Sequence, residues 1–118
     1  MKSMQTYDWG AIEKERMNPF LVRQVIHGDM MTIARLELGK GCSVPEHSHH
    51  NEQIAMVQSG RILFNVGGVE TTLGAGETMR IPPNVPHFVK VIEDCIVFDL
   101  FSPRREDWIR GDDAYLRQ

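Results

Sequence analysis

The sequence has little cysteine, no excess of positive charge and no long apolar run. Cys42 and Cys95 are its two cysteines, far apart and outside any Cys-x-x-Cys pair, which excludes zinc-ribbon and thioredoxin chemistry. They read as small apolar side chains in a reducing compartment, since a Cys42–Cys95 disulfide would need an oxidising one that nothing else indicates. Thirteen basic residues against sixteen acidic ones give a net charge of -3. That balance excludes nucleic acid and anionic membrane surfaces as expected partners. No window approaches the ~20 apolar residues of a membrane span, and Met1 to Asp8 lacks the apolar stretch of a secretory signal, so the expectation is a cytoplasmic protein. At 118 residues the chain fits one domain with a core of its own.

From about residue 20 onward, short β-rich runs alternate with Gly, Pro and Asn at spacings too small for helices. Strands are expected near 20–26, 30–38, 53–58, 61–66, 69–73, 78–81, 87–92 and 95–101. Ser59-Gly60, Gly67-Gly68, Pro82-Pro83-Asn84 and Glu93-Asp94 are among the turns between them. Runs such as Ile96-Val97-Phe98 and Ile54-Ala55-Met56-Val57 are apolar on both faces and need cover on two sides. The fold class is therefore all-β, a jelly-roll barrel whose outer apolar surface predicts a homodimer. Residues 1–19, with Trp9 and the polar run Glu13 to Arg16, read as an arm with a helical turn, and 20–118 as the single barrel domain. Ser102 as N-cap, Pro103 at the first position and Gly111 as terminator predict a short C-terminal helix over about 103–110.

Histidine is scarce, five in all, yet three fall within four positions: His47, His49 and His50. In an extended segment, period two sends His47 and His49 to the same side and His50 to the other, so the first two can share one ion. Gln53 opens the next strand, and His87 opens a later one directly after a rigid Pro-rich turn. These four converge if their strands are neighbours. His27 and His50 read as surface or packing residues.

Gly41-x5-His47-x-His49-x3-Gln53-x6-Gly60 resembles the first cupin motif, and Gly76-x5-Pro82-x4-His87 resembles the second, with fifteen residues between Gly60 and Gly76. The resemblance implies a cupin barrel binding one divalent transition metal (Ni, Zn, Mn, Fe, Co or Cu) through His47, His49, Gln53 and His87. Gln53 stands where Glu is usual, Asn84 where Gly is common and Val91 where Asn is common. Glu52 does not restore the carboxylate, because strand alternation sends it to the opposite face. Three neutral imidazoles and an amide leave the charge of the cation uncompensated, which favours an anionic substrate.

In the last strand, Cys95, Val97, Asp99 and Phe101 share a face. If that face is inward, Asp99 is a carboxyl in an apolar pocket suited to acid–base work; if outward, it is an ordinary solvated residue. Asp99-x-Phe101-Ser102-Pro103-x-Arg105-Glu106-Asp107, taken with His-x-His-x3-Gln, is similar to the pectin-degradation cupins, which linearise 4,5-unsaturated uronates. That resemblance implies that Asp99 and Arg105 are catalytic and that Phe101 and Arg105 contact a small sugar-acid substrate, Arg105 by pairing bidentately with its carboxylate. A cupin dioxygenase acting on an enol or diketone, and a non-catalytic sensory cupin binding a sugar or metal, are the alternative readings.

Overall fold

The computed structural model describes residues 3–118. Eight strands form one antiparallel sheet: β1 (Glu15–Asn18), β2 (Leu21–His27), β3 (Thr32–Leu38), β4 (Ser43–His47), β5 (Glu52–Val66), β6 (Val69–Gly74), β7 (Thr78–Ile81) and β8 (His87–Ser102). The order is β1-β2-β3-β8-β5-β6, with β4 also on β8 and β7 also on β5. Inward residues alternate with outward ones, most plainly in β3, where Thr32, Ala34, Leu36 and Leu38 are buried and the residues between them are half-exposed. The all-β jelly roll expected from the sequence is the fold observed.

Two pairs of predicted strands are single long strands. Ser59-Gly60 and Glu93-Asp94 bend β5 and β8 without ending them, and the β5–β8 register shifts between Val57 and Ile62. Gly60 is required there: its φ is +80°, and a Cβ would collide with the Asp94 carbonyl and with Cys95. Beyond the bend β8 leaves β3 for β4, so one ribbon serves both faces of the roll, as strands that switch sheets through bulges do. Folding the ribbon back also brings its two ends together, which sets the site described below. Strand β4 was not anticipated, because Pro45 and its polar neighbours hide it.

The polar run near the N-terminus is half strand: a 3-10 turn at Trp9–Ala11 is followed by β1. Buried Gln24 donates to the Trp9 and Ile12 carbonyls at 2.6 and 2.9 Å, docking the arm on its own barrel. The C-terminal helix is shorter than expected: α1 spans Glu106–Ile109 and its N-cap is Arg105, not Ser102. Ser102 is still paired with Glu52 in the sheet, and Asn51 binds the Pro103 and Arg104 carbonyls at 2.6 and 3.2 Å, holding the chain extended until Arg105. Gly111, at φ +84°, follows the helix as anticipated. Cys42 and Cys95 are buried free thiols. No helix among the described residues is long and apolar enough to cross a membrane.

Candidate metal centre

The ends of the bent ribbon carry the site. His47 closes β4 and lies in register with His87, the first residue of β8, their ring centroids 4.2 Å apart. His49, in the loop before β5, lies 5.1 Å from the His87 ring and 5.5 Å from that of Phe101, near the other end of β8. One ring nitrogen from each of His47, His49 and His87 falls within 4.8 Å of the others. His50 is exposed, and His27 bonds Thr32 Oγ1 instead. Glu52 points outward and pairs with Arg80 at 2.6 Å, as strand alternation requires.

Each of the three imidazoles is oriented by a backbone carbonyl. Nδ1 of His47, His49 and His87 donates to the Pro45, Asn51 and Val85 oxygens at 2.8, 3.0 and 2.9 Å. A carbonyl only accepts, so the proton sits on Nδ1 and the Nε2 lone pair is left for a metal. His87 Nε2 is buried without a hydrogen-bond partner among the described residues. Burial, seconded by neighbouring His and Arg charges, lowers the His47 and His49 pKa values to about 4, against the opposing carbonyl bonds. Burial also lowers that of His87. All three are therefore neutral imidazoles at pH 7, able to act as ligands.

Gln53 lies beside the three histidines. Its Oε1 lies 3.2 Å from His49 Nε2, and with the His49 proton on Nδ1 these are two acceptors facing each other. Such a pair is satisfied by a cation between them, so the donor set fits a divalent metal. Gln53 Nε2 meanwhile donates to Asp99 Oδ1 at 3.0 Å. This contact accounts for Gln where Glu is usual, since a Glu would set a second carboxylate against Asp99.

Asp99 faces inward at 7% exposure, which decides between the two orientations left open by the sequence. Burial raises its pKa to about 6, opposed by the Gln53 hydrogen bond and the Arg105 charge. Asp99, His47, Gln53, His87, Phe101 and Arg105 line one cavity of about 60 Å³, walled on its apolar side by residues such as Leu36, Ile62, Phe64 and Val97.

Arg105 is buried rather than a surface helix charge, its guanidinium carbon 4.6 Å from the Phe101 ring centre and 4.3 Å from that of Trp108. Burial works against its charge, but the Asp107 and Tyr115 partners outweigh it and raise its pKa. The fork expected to face a substrate carboxylate is bonded to Asp107: Nε to Oδ1 at 3.0 Å and Nη2 to Oδ2 at 2.8 Å.

Sequence reasoning missed Tyr115, which lines the same cavity and stacks on His47 at 4.6 Å. Its one signal was a lone aromatic in an otherwise polar tail. It also missed Asp113, which anchors that tail by pairing with buried Arg23 at 2.9 Å.

No curated protein matches the sequence. The fold is similar to that of an RmlC-like cupin from Shewanella frigidimarina NCIMB 400, with 30% identity, a TM-score of 0.84, and 90% of this chain and 96% of that one covered. KdgF from Halomonas sp. superposes with a TM-score of 0.84 at 24% identity, covering 90% of this chain and 99% of the other. Oxalate decarboxylase from Bacillus subtilis is similar in fold, with a TM-score of 0.76 at 13% identity, covering 87% of this chain and 30% of that longer one. The Cupin domain family matches residues 34–101, a span that takes in β3, the three clustered histidines and both bent strands. With more than half of its length matched on this barrel, the protein belongs to the cupin family.

Proposed function

We propose that this cupin is a metal-dependent isomerase that opens a 4,5-unsaturated uronate and ketonises it to the linear keto acid. The observation that carries the reading is the placement of Asp99, a buried carboxyl in the cavity lined by His47 and His87 and bonded to Gln53. The resemblance of the His-x-His-x3-Gln and Asp99 to Asp107 strings to the pectin-degradation cupins supports it. A divalent metal held by His47, His49, Gln53 and His87 would supply Lewis acidity toward a substrate oxygen.

The residues of the chain supply the proton transfers and the fit. Asp99 takes the proton of the anomeric hydroxyl, the bond from carbon 1 to the ring oxygen breaks, and its electron pair leaves on that oxygen as an enolate. Asp99 then returns the proton to carbon 4, leaving a ketone at carbon 5 and an aldehyde at carbon 1. No oxidant enters. Phe101 packs on the sugar ring, and Arg105 keeps that end of the cavity positive.

The working unit of this reading is a cytoplasmic homodimer. Ile33, Ile54, Met56, Phe98 and Leu100 are half-buried on the outward faces of β3, β5 and β8, where Leu100 is in register with both Ile33 and Ile54 and Phe98 with Met56. A second copy would cover them.

The test is loss of enol absorbance when metal-loaded protein meets 4,5-unsaturated galacturonate, with dissolved oxygen followed in parallel. Asp99→Ala should lower kcat by roughly 10²- to 10⁴-fold, the range of a lost general acid or base. No acceleration by the wild type over buffer removes the proposal, and stoichiometric oxygen uptake would replace it with an oxygenase.

A further inference from the structure

We infer that Tyr115, from the C-terminal tail, donates a hydrogen bond to the carboxylate of a sugar acid bound in the cavity, beside Arg105, whose Nε and Nη2 are bonded to Asp107. The inference rests on the sugar-acid reading above and assigns its carboxylate a partner.

The argument is an account of protons. The Tyr115 oxygen lies 2.9 Å from Arg105 Nη2 and 3.3 Å from Trp108 Nε1. Guanidinium and indole nitrogens only donate, so the phenolic oxygen accepts both. Its own proton is then left over, and among the described residues no side chain or carbonyl accepts it. The ring is fixed by its stack on His47 and by its tail, where Asp113 pairs with Arg23 and the Leu116 carbonyl accepts from Asn18 at 3.0 Å. A held phenol with an unclaimed proton beside the cavity is a preorganised donor. The two cationic or polarised N–H groups behind it strengthen that donor.

Arg105 acts through Tyr115 in this arrangement. Asp107 occupies its Nε and one Nη2 hydrogen, while the other Nη2 hydrogen goes to the phenol. The guanidinium thereby polarises the Tyr115 hydroxyl. An incoming carboxylate meets a neutral donor and is spared competition with Asp107 for the arginine.

The test measures galacturonate, an unreactive sugar acid, binding to Co(II)-loaded full-length protein by calorimetry and by the cobalt visible spectrum. Tyr115→Phe keeps the stack on His47 and removes the hydroxyl. It should raise the galacturonate Kd about tenfold or more while leaving cobalt affinity unchanged, as expected for one lost hydrogen bond to a charged group. Equal Kd values overturn the inference.

A second measurement needs no destabilising change. 3-Fluorotyrosine replaces just Tyr7 and Tyr115, and Tyr7 is exposed. The Tyr115 fluorine resonance should shift with galacturonate while that of Tyr7 stays, and a Tyr115 signal that ignores saturating galacturonate also overturns the inference. Wild type that binds galacturonate through Tyr115 but leaves the unsaturated sugar unconverted removes the isomerase and keeps the tyrosine. Wild type that converts the sugar with a Tyr115→Phe KM unchanged does the reverse, and wild type that binds neither sugar removes both.

Discussion

Gln53→Glu puts the central contact of the site under direct strain. The substitution replaces an amide that donates to Asp99 at 3.0 Å with a second carboxylate at about the same separation. Two unit charges that close repel by roughly 5–6 kcal/mol at an effective dielectric constant of about 20. Keeping one proton on Asp99, whose pKa is already about 6, costs about 1.4 kcal/mol at pH 7. The proton is the cheaper solution, so the metal-free variant retains it between the unfolded carboxylate range and an upper pKa raised above 7. The folded variant then holds a proton that the unfolded chain has lost, so stability falls as pH rises through that window. The slope is about 1.4 kcal/mol per pH unit, the value for one proton. In the wild type, Asp99 has largely finished titrating above its own pKa of about 6, so the pair contributes no such slope near pH 7. Urea unfolding of both metal-free proteins between pH 6.5 and 8 should therefore show a gap that widens with pH by about 1.4 kcal/mol per unit. Adding a divalent metal should close the gap and release about one more proton per ion from the variant than from wild type. A pH-independent gap would refute the claim that Asp99 is what specifies an amide at position 53.

Other parts of the molecule yield shorter tests. Because burial lowers the His47 and His49 pKa values to about 4, apparent metal affinity should stay flat from pH 8 down to about 5 and fall below it, measured by competition with a chelator. Burial pushes the Asp113 carboxyl up, but hydrogen bonds from Arg117 and Arg23 outweigh it and hold the pKa below the usual range. Its stabilising effect is thus present above the unfolded carboxylate range near pH 4 and lost as pH falls through the folded value. Asp113→Asn should cost about 3 kcal/mol at neutral pH, because it leaves Arg23, buried beside Trp108, with the more distant and exposed Glu15 carboxylate at 3.4 Å in place of Asp113 at 2.9 Å, and calorimetry should show the difference shrinking in acid. Leu100→Arg, on the outward face of β8, should turn the proposed dimer into a monomer by light scattering with the far-ultraviolet spectrum unchanged.

The residues readable from sequence were those whose roles depend on local period. Alternation alone told His47 and His49 from His50, turned Glu52 away from the site and put Asp99 and Phe101 on one face. It did not say which face, because that depends on the bend at Gly60, where the sequence shows a turn signal and the ribbon runs on through it. The pairing of β5 with β8, Gln53 opposite Phe101, brings Phe101 to His49, a neighbour 52 positions away by number, and no local pattern reports it. Arg105 shows the limit most clearly. Its sequence context offers Asp107 two residues on, the spacing of an ordinary surface pair, and here that pair is present. What sequence omitted was the burial of the guanidinium over Phe101 and Trp108, and the tail that returns Tyr115 to it. With Asp107 on its Nε and Nη2, Arg105 also polarises Tyr115, the proposed partner of the anion. The tail beyond α1 brings Tyr115 to the cavity, and removing it should weaken ligand binding even though every proposed metal ligand lies upstream of it.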